Sequence, residues 1–341
     1  MEGSVEALDE RKAAILRAIV EQYVASAVPV GSATVTRTAD LSVSAATVRN
    51  DMATLEREGF IAQPHTSAGR VPTDRGYRYY VDHLAGATLL AATERRRIAE
   101  FFTSATMAMD ELLLQTSHLL ARVSAHAAVV VGPQTEAVVV RGAQLVRLQP
   151  RVLLAVVILS NGSVEKQAVA LAADASEQDV AIASARLAEL LDGKRLAELR
   201  DVPTGPEDAA AALVRQSWDA LQARRDPSHG EPLYVGGASH LAAEQEAFTG
   251  TTVSHLIELL EQHVVMASLL RELLGPGLTV RIGSENARAD LQECSIVLAP
   301  YLVEGEPIGT VGVLGPTRMD YRKAQAAVTA ISQQLGRQLS P

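Results

Sequence analysis

The chain has 341 residues with 31 Lys+Arg, 40 Asp+Glu and 8 His, a formal net charge of −9, and its 48% apolar and 21% charged residues are an ordinary globular composition. At roughly 150 residues per domain the length predicts two or three domains. Cys294 is the only cysteine, which excludes a disulfide framework. The longest strongly apolar run, Val152 to Leu159, has 8 residues where a membrane span needs about 20.

Met1 to Glu6 carries acid where a signal peptide carries base, and an unpaired cysteine suits a reducing compartment, so the expected location is the cytoplasm. The acidic balance argues weakly against a nucleic-acid partner until the charge is divided by segment. Residues 1–85 have a net charge of −2 and the remainder −7, while His65 to Tyr80 forms a local patch of net +2.

From the N-terminus, Leu8, Ile15, Leu16, Ile19, Val20 and Tyr23 recur at helical spacing over Leu8–Ser26. Val28-Pro29-Val30-Gly31 breaks that helix, and Ser32 is placed to cap a short second one reaching about Ala39. After a turn at Leu41-Ser42-Val43, Ser44 is an N-cap for a third helix, Ala45 to Glu58, which Gly59 stops. Short extended pieces follow at Phe60–Pro64 and Val71–Pro72, and Thr73 caps a helix from Asp74 to Leu84. Three helices and a small hairpin, with a short turn between the second and third helices, form the pattern of a winged helix-turn-helix.

At 100° per residue, Ala45, Val48, Met52 and Leu55 share one side of the third helix. Asn50, Thr54 and Arg57 lie opposite, separated by Ala46 and Ala53 and flanked by Thr47 and Arg49. A narrow face of hydrogen-bonding groups suits the major groove, where Asn can pair with adenine and Arg with guanine. Arg49 has two readings: a phosphate contact, or a structural pair with Asp51 or Glu56. At the hairpin tip Gly69 permits a tight turn, and Thr66, Ser67 and Arg70 are small or basic donors for phosphate. The candidate DNA-contacting set is therefore Ser44, Thr47, Arg49, Asn50, Thr54, Arg57, His65, Thr66, Ser67 and Arg70.

Beyond a small-residue connector at Ala85–Thr93, Glu94 to about Ala127 reads as one long helix. Its stripe Phe102, Ala105, Met109, Leu112, Thr116, Leu119 and Val123 fits either an internal core or a dimer seam. Ala128–Val131, Val138–Leu148, Arg151–Leu159 and Val164–Leu171 read as an antiparallel meander. Leu278–Gly283, Ser295–Val303 and Gly309–Leu314 are strand-like again, and a last helix runs from Asp320 to Leu339. Between these strand groups, helices are expected at Val180–Leu191, Pro206–Ala223 and Val253–Leu274, with an extended piece at Leu233–Gly237. The 253–274 helix is apolar on two sides and so requires two partners, the second of which can be another subunit.

Two runs carry a resemblance: Val43 to Gly59, and Pro64-His65-Thr66-Ser67-Ala68-Gly69-Arg70-Val71-Pro72-Thr73-Asp74-Arg75-Gly76-Tyr77-Arg78-Tyr79-Tyr80-Val81-Asp82. Both resemble segments of the heat-inducible transcription repressor HrcA family, as does Gly309 to Tyr321 near the C-terminus, and the order of segments agrees over essentially the whole chain. The resemblance implies an α+β multidomain protein: a winged helix-turn-helix over 1–85, a GAF-like antiparallel domain from 86–173 and 276–341, and an inserted, mostly helical dimerising domain over 174–275. It also implies a homodimer that binds an inverted repeat in double-stranded promoter DNA, represses chaperone operons and depends on the chaperonin for its activity.

No catalytic, metal or cofactor site is expected. Gly309, Gly312 and Gly315 lack the spacing of a phosphate loop and fit a strand. The histidine pairs 118/126 and 255/263 are eight residues apart, about 12 Å along a helix, too far to share a metal. Trp218 is expected in the core of the insertion, and Cys294 as a small buried hydrophobe. The alternative function is a winged-helix regulator controlled by a small effector in the GAF-like domain.

Overall fold

A computed structural model describes residues 8–39, 43–66, 68–86, 90–105, 107–133, 139–160, 164–195, 208–224, 232–244, 247–248 and 252–340. The first unit comprises α1 (Glu10–Ser26), α2 (Ser32–Thr38), α3 (Ala45–Arg57), a hairpin of β1 (Ile61–Ala62) and β2 (Val71–Pro72), and α4 (Asp74–Tyr79). α4 continues directly into a π-helical turn, Tyr80–Leu84. Side chains at the expected positions cap these helices: Ser44 Oγ accepts from Thr47 N, and Thr73 Oγ1 from Gly76 N. At α2 the cap position belongs to Gly31, which has no side chain to offer, and Ser32 is the first helical residue. Ile15, Leu16, Ile19, Val35, Val48, Leu55, Phe60 and Ile61 are buried together beneath α3.

The single long helix expected over 94–127 is two helices, α5 (Ala92–Ser104) and α6 (Met109–Ser124). The hydroxyls of Thr103 and Ser104 bond to the carbonyls of Ala99 and Glu100, four residues back, a bond that weakens a helix end. Asp110 and Glu111 then favour a new N-terminus. Phe102, Met109, Leu112, Leu119 and Val123 are buried within this chain, which decides the stripe in favour of an internal core.

The expected meander is divided between two sheets. β3 (Ala127–Val131) belongs to a five-stranded antiparallel sheet with β7 (Leu233–Gly236), β8 (Thr279–Ile282), β9 (Cys294–Val303) and β10 (Glu306–Pro316), in the order β7-β3-β10-β9-β8. β4 (Val140–Gln149), β5 (Val152–Leu159) and β6 (Val164–Ala170) form a separate three-stranded antiparallel sheet, in the order β4-β5-β6. α7 (Glu177–Leu191) and α8 (Ala209–Arg224) share a core with this smaller sheet, in which Leu153, Ala155 and Val157 meet Leu187, Val214 and Trp218. The boundary expected at 173/174 therefore cuts through one hydrophobic cluster. The chain leaves the large sheet after β3 and returns at β7, because Leu233–Gly236, and not β4, pairs with the edge of β3.

α9 (Ala238–Ala243), α10 (Thr252–Glu261) and α11 (His263–Leu273) lie against the large sheet and share its core. The helix expected to run unbroken over 253–274 is interrupted at Gln262, with φ −81° and ψ 69°. That break places Leu256, Leu260, Met266 and Leu270 in one core with Val129 and Leu298, while Val264 and Val265 each stay 40% exposed. The opposite face of the sheet, with Val130, Val297, Tyr301 and Val313, is covered by α6 and by α12 (Tyr321–Leu339), and this core is continuous with that of the first unit. The three glycines 309, 312 and 315 all lie in β10. Among the described residues no helix is long and apolar enough to cross a membrane.

Candidate nucleic-acid interface

α3 has two chemically distinct sides. Val48, Met52 and Leu55 are buried, while Ala46, Arg49, Asn50, Ala53 and Arg57 are exposed and Thr47 and Thr54 half-buried. Ser44, exposed at the N-cap, also lies 3.1 Å from the Thr47 hydroxyl. Arg57 Nη2 donates to Thr54 Oγ1 at 2.9 Å, and that hydroxyl donates to the Asn50 carbonyl at 3.2 Å. The outer face is thus a connected polar ridge, with the Asn50 amide left unbonded among the described residues.

The inner face holds a charge that sequence reasoning did not place. Asp51 is buried beside Val48 and Met52, and Arg11 of α1 grips it with Nε at 2.7 Å and Nη2 at 3.2 Å. A two-pronged guanidinium–carboxylate bond fixes both distance and angle, so it pins α3 to α1. Asp51 keeps the Arg11 guanidinium more firmly protonated than usual. The clue was available: an acid on the core stripe, three residues after Val48 and four before Leu55, demands a basic partner.

Arg49 is not the structural partner of either nearby acid. Asp51 pairs with Arg11, and Glu56 pairs with Arg70, whose Nε and Nη2 lie 3.0 and 2.8 Å from Glu56 Oε2. Arg49 has no ion pair among the described residues and stands exposed at the edge of the ridge. Arg70 was expected to offer its guanidinium to phosphate. Its side chain is instead tied to α3, and its backbone exchanges hydrogen bonds of 2.8 and 2.9 Å with Val30. The hairpin is thereby anchored to the α1–α2 connection.

Gly69 is required by this anchoring and not by the turn: a Cβ there would lie 2.6 Å from the Val30 carbonyl group. At the tip His65 and Thr66 are exposed, and Gln63 Nε2 donates to the carbonyls of Thr66 and Ala68 at 2.9 and 3.1 Å. Ser67 lies outside the described residues. The basic patch over 65–80 is engaged within the protein: Arg70 holds Glu56, Arg75 lies 4.6 Å from the centre of the Phe60 ring, and Arg78 holds Glu285. The arginines at the outer ridge are Arg49 and Arg57.

Residues 110–324 match the family described as HrcA protein C terminal domain. A heat-inducible transcription repressor HrcA of Acidothermus cellulolyticus is 41% identical over 342 residues, covering 98% of this chain and 99% of that one. Another of the same name, from Nocardioides sp., is 42% identical over 335 residues, covering 96% and 98%. A crystal structure described as that of a hypothetical protein at 2.2 Å resolution has the same fold, with a TM-score of 0.69, 24% identity and 98% of each chain covered. The chain belongs to the HrcA family of heat-inducible transcription repressors, which are regulators and not enzymes.

Proposed function

We propose that this repressor binds an inverted repeat in promoter DNA as a homodimer and silences chaperone operons, with the chaperonin maintaining its active form. Residues 8–85 act as a winged helix-turn-helix: α3 enters the major groove and the 63–70 hairpin lies along the adjacent backbone. The observation that carries this reading is the ridge of α3, where Asn50 presents an unbonded amide between Ala46 and Ala53 while Arg11 and Asp51 brace the helix from behind. Within the ridge we assign base reading to Asn50, phosphate contact to Arg49, and supporting roles to Ser44, Thr47, Thr54 and Arg57. His65, Thr66 and Ser67 complete the interface at the tip, and Arg70 supports the hairpin through Glu56.

We assign the inserted dimerising unit to residues 140–224, in place of 174–275, and the GAF-like body to the segments on either side. The outer face of the small sheet supports this. Leu154, Val156 and Ile158 of β5 stand side by side with Val146 and Val164, and Ile158 is 48% exposed. A second copy seated on that face removes apolar surface that a monomer leaves in water. The effector-controlled alternative is less well supported, because helices of this chain cover both faces of the five-stranded sheet.

The test is fluorescence anisotropy at fixed salt, with and without chaperonin and ATP. The probes are the inverted repeat upstream of the host's chaperonin operon and a scrambled repeat of equal length. The expected result is a preference of about a thousandfold with two protomers per repeat. Equal binding to both probes with chaperonin present refutes the proposal.

A further inference from the structure

The long motif that follows the hairpin contains residues that the DNA ridge does not use. Asp74 and Arg78 are four apart on α4, on one face of the helix, and both reach the turn after β8, more than 200 residues away in sequence. Arg78 Nε and Nη2 meet the two oxygens of Glu285 at 2.8 and 2.5 Å, and Nη2 also donates to the Val280 carbonyl at 2.7 Å. Nη1 donates to Asp82 at 3.1 Å. Glu285 is itself held by Ile282 N at 3.0 Å.

Asp74 accepts from Ser284 N at 2.8 Å. Gly283, with φ +51°, lets the turn approach: a Cβ there would strike the Asp74 carboxylate. Between these bonds the buried Tyr77 ring lies 5.6 Å from Tyr321 of α12. Arg78 and Glu285 are each less than a third exposed, and the pair bridges two units that share one core. A guanidinium bound through all three of its nitrogens to groups on both units holds an angle as well as a distance.

We propose that Asp74 and Arg78, bonded to the Gly283–Glu285 turn, are positioning residues for DNA binding. They fix the orientation of the three-helix unit on the five-stranded body, and so the separation of the two α3 helices in the dimer. The inference rests on the DNA-binding reading above. Two recognition helices must match the helical repeat of the duplex to engage both halves of an inverted repeat, whereas one half-site needs only one. Loss of the latch therefore affects the whole repeat and spares the half-site.

The experiment uses the full-length dimer carrying Arg78→Ala, Arg78→Lys or Glu285→Gln, with chaperonin and ATP present during DNA binding. In the absence of DNA, amide exchange at Ser284, whose N–H donates across the junction, is expected to quicken in the Arg78→Ala and Glu285→Gln variants while α3 and β10 stay protected. On DNA, the preference for the full repeat over an isolated half-site is expected to fall about five- to tenfold, with half-site affinity unchanged. The Lys variant should recover part of the preference, and inserting base pairs between the half-sites should penalise the latch variants less than wild type. Unchanged exchange at Ser284 overturns the latch whatever happens on DNA. An unchanged ratio, or half-site affinity that falls in parallel, overturns the positioning role. If Arg78→Ala fails to fold, Glu285→Gln, which keeps an acceptor for Ile282 N, decides by the same criteria. Wild-type protein that binds neither probe refutes the parent reading and the positioning role with it, while the exchange result still reports whether the latch exists.

Discussion

Asn50→Ala separates base reading from folding. The Asn50 side chain is exposed and unbonded among the described residues, and alanine retains the backbone carbonyl that accepts from Thr54 Oγ1 at 3.2 Å. Alanine is also the better helix former, by about 0.5 kcal/mol. The melting temperature should therefore stay level or rise slightly. An amide held by adenine in two bonds discriminates by about 1–3 kcal/mol. The proposed dimer would make that contact twice, about 2–6 kcal/mol in all, which at about 1.4 kcal/mol per decade lowers operator affinity at least about thirtyfold. Binding to a scrambled repeat rests on phosphate charge and should not change. The assay is anisotropy on both probes across a salt series, with Arg49→Ala alongside. Arg49→Ala should weaken both probes alike and flatten the log–log salt slope by about 2 per dimer. Asn50→Ala that lowers both affinities equally, or neither, refutes the assignment.

Ile158→Glu should convert the dimer to monomer in sedimentation velocity without loss of far-UV dichroism; a dimer that persists removes the outer sheet face from the interface. Burial pushes the Cys294 thiol and the Tyr80 phenol up to about 12, and raises Tyr234 and Tyr321 as well. As pH climbs past about 9 the unfolded chain releases these protons before the native one, so urea midpoints should fall between pH 9 and 11; flat midpoints would contradict the burial. A thiol reagent at pH 8 should accordingly label Cys294 only on unfolding. Ile331 of α12 is fully buried, and Ile331→Ala should cost about 2–5 kcal/mol and lower the yield of spontaneous refolding, with chaperonin restoring it. A yield that chaperonin does not change would disconnect folding from the proposed regulation.

What could be read from the sequence was local. The caps at Ser44 and Thr73 and the alternation of Val48, Met52 and Leu55 against Asn50 and Ala53 arise within one or two turns of helix, and the structure has them in place. The apolar period ran straight across the end of α5 at Ser104 and the break at Gln262, which hid them; what ends α5 is side-chain hydroxyls bonding back to the helix, and not the stripe. Strand partners were not legible at all. β4 and β7 both read as extended, and only the three-dimensional cover of α7 and α8 assigns β4 to the smaller sheet. The arginine count over 65–80 suggested charge for DNA, but Arg70, Arg75 and Arg78 have partners 14, 15 and 207 positions away, beyond any local pattern.

Those long-range partners give the proposed dependence on the chaperonin a physical footing. The core that supports α3 runs without a break from Ile15 to Leu335. Glu21 of α1 meets Arg322 of α12 at 3.4 Å across 301 positions, and Tyr77 packs beside Tyr321. Until α12 docks, Tyr77, Phe102, Leu120 and Tyr301 lack part of their cover. Contacts so distant in sequence form slowly, and a chain waiting for them exposes the apolar surface that invites aggregation. The 140–221 core, by contrast, closes among neighbours and can form early. On the proposed reading, an intermediate with the 140–221 core formed and the N-terminal core open could neither present α3 at a fixed angle nor engage two half-sites together. Under the proposed function, the fraction of chains that pass this stage would set the concentration of active dimer, and operator occupancy would follow it by mass action. On the same proposal, heat that fills the chaperonin with other unfolded chains would lower that fraction first, which is the direction a heat-inducible repressor requires.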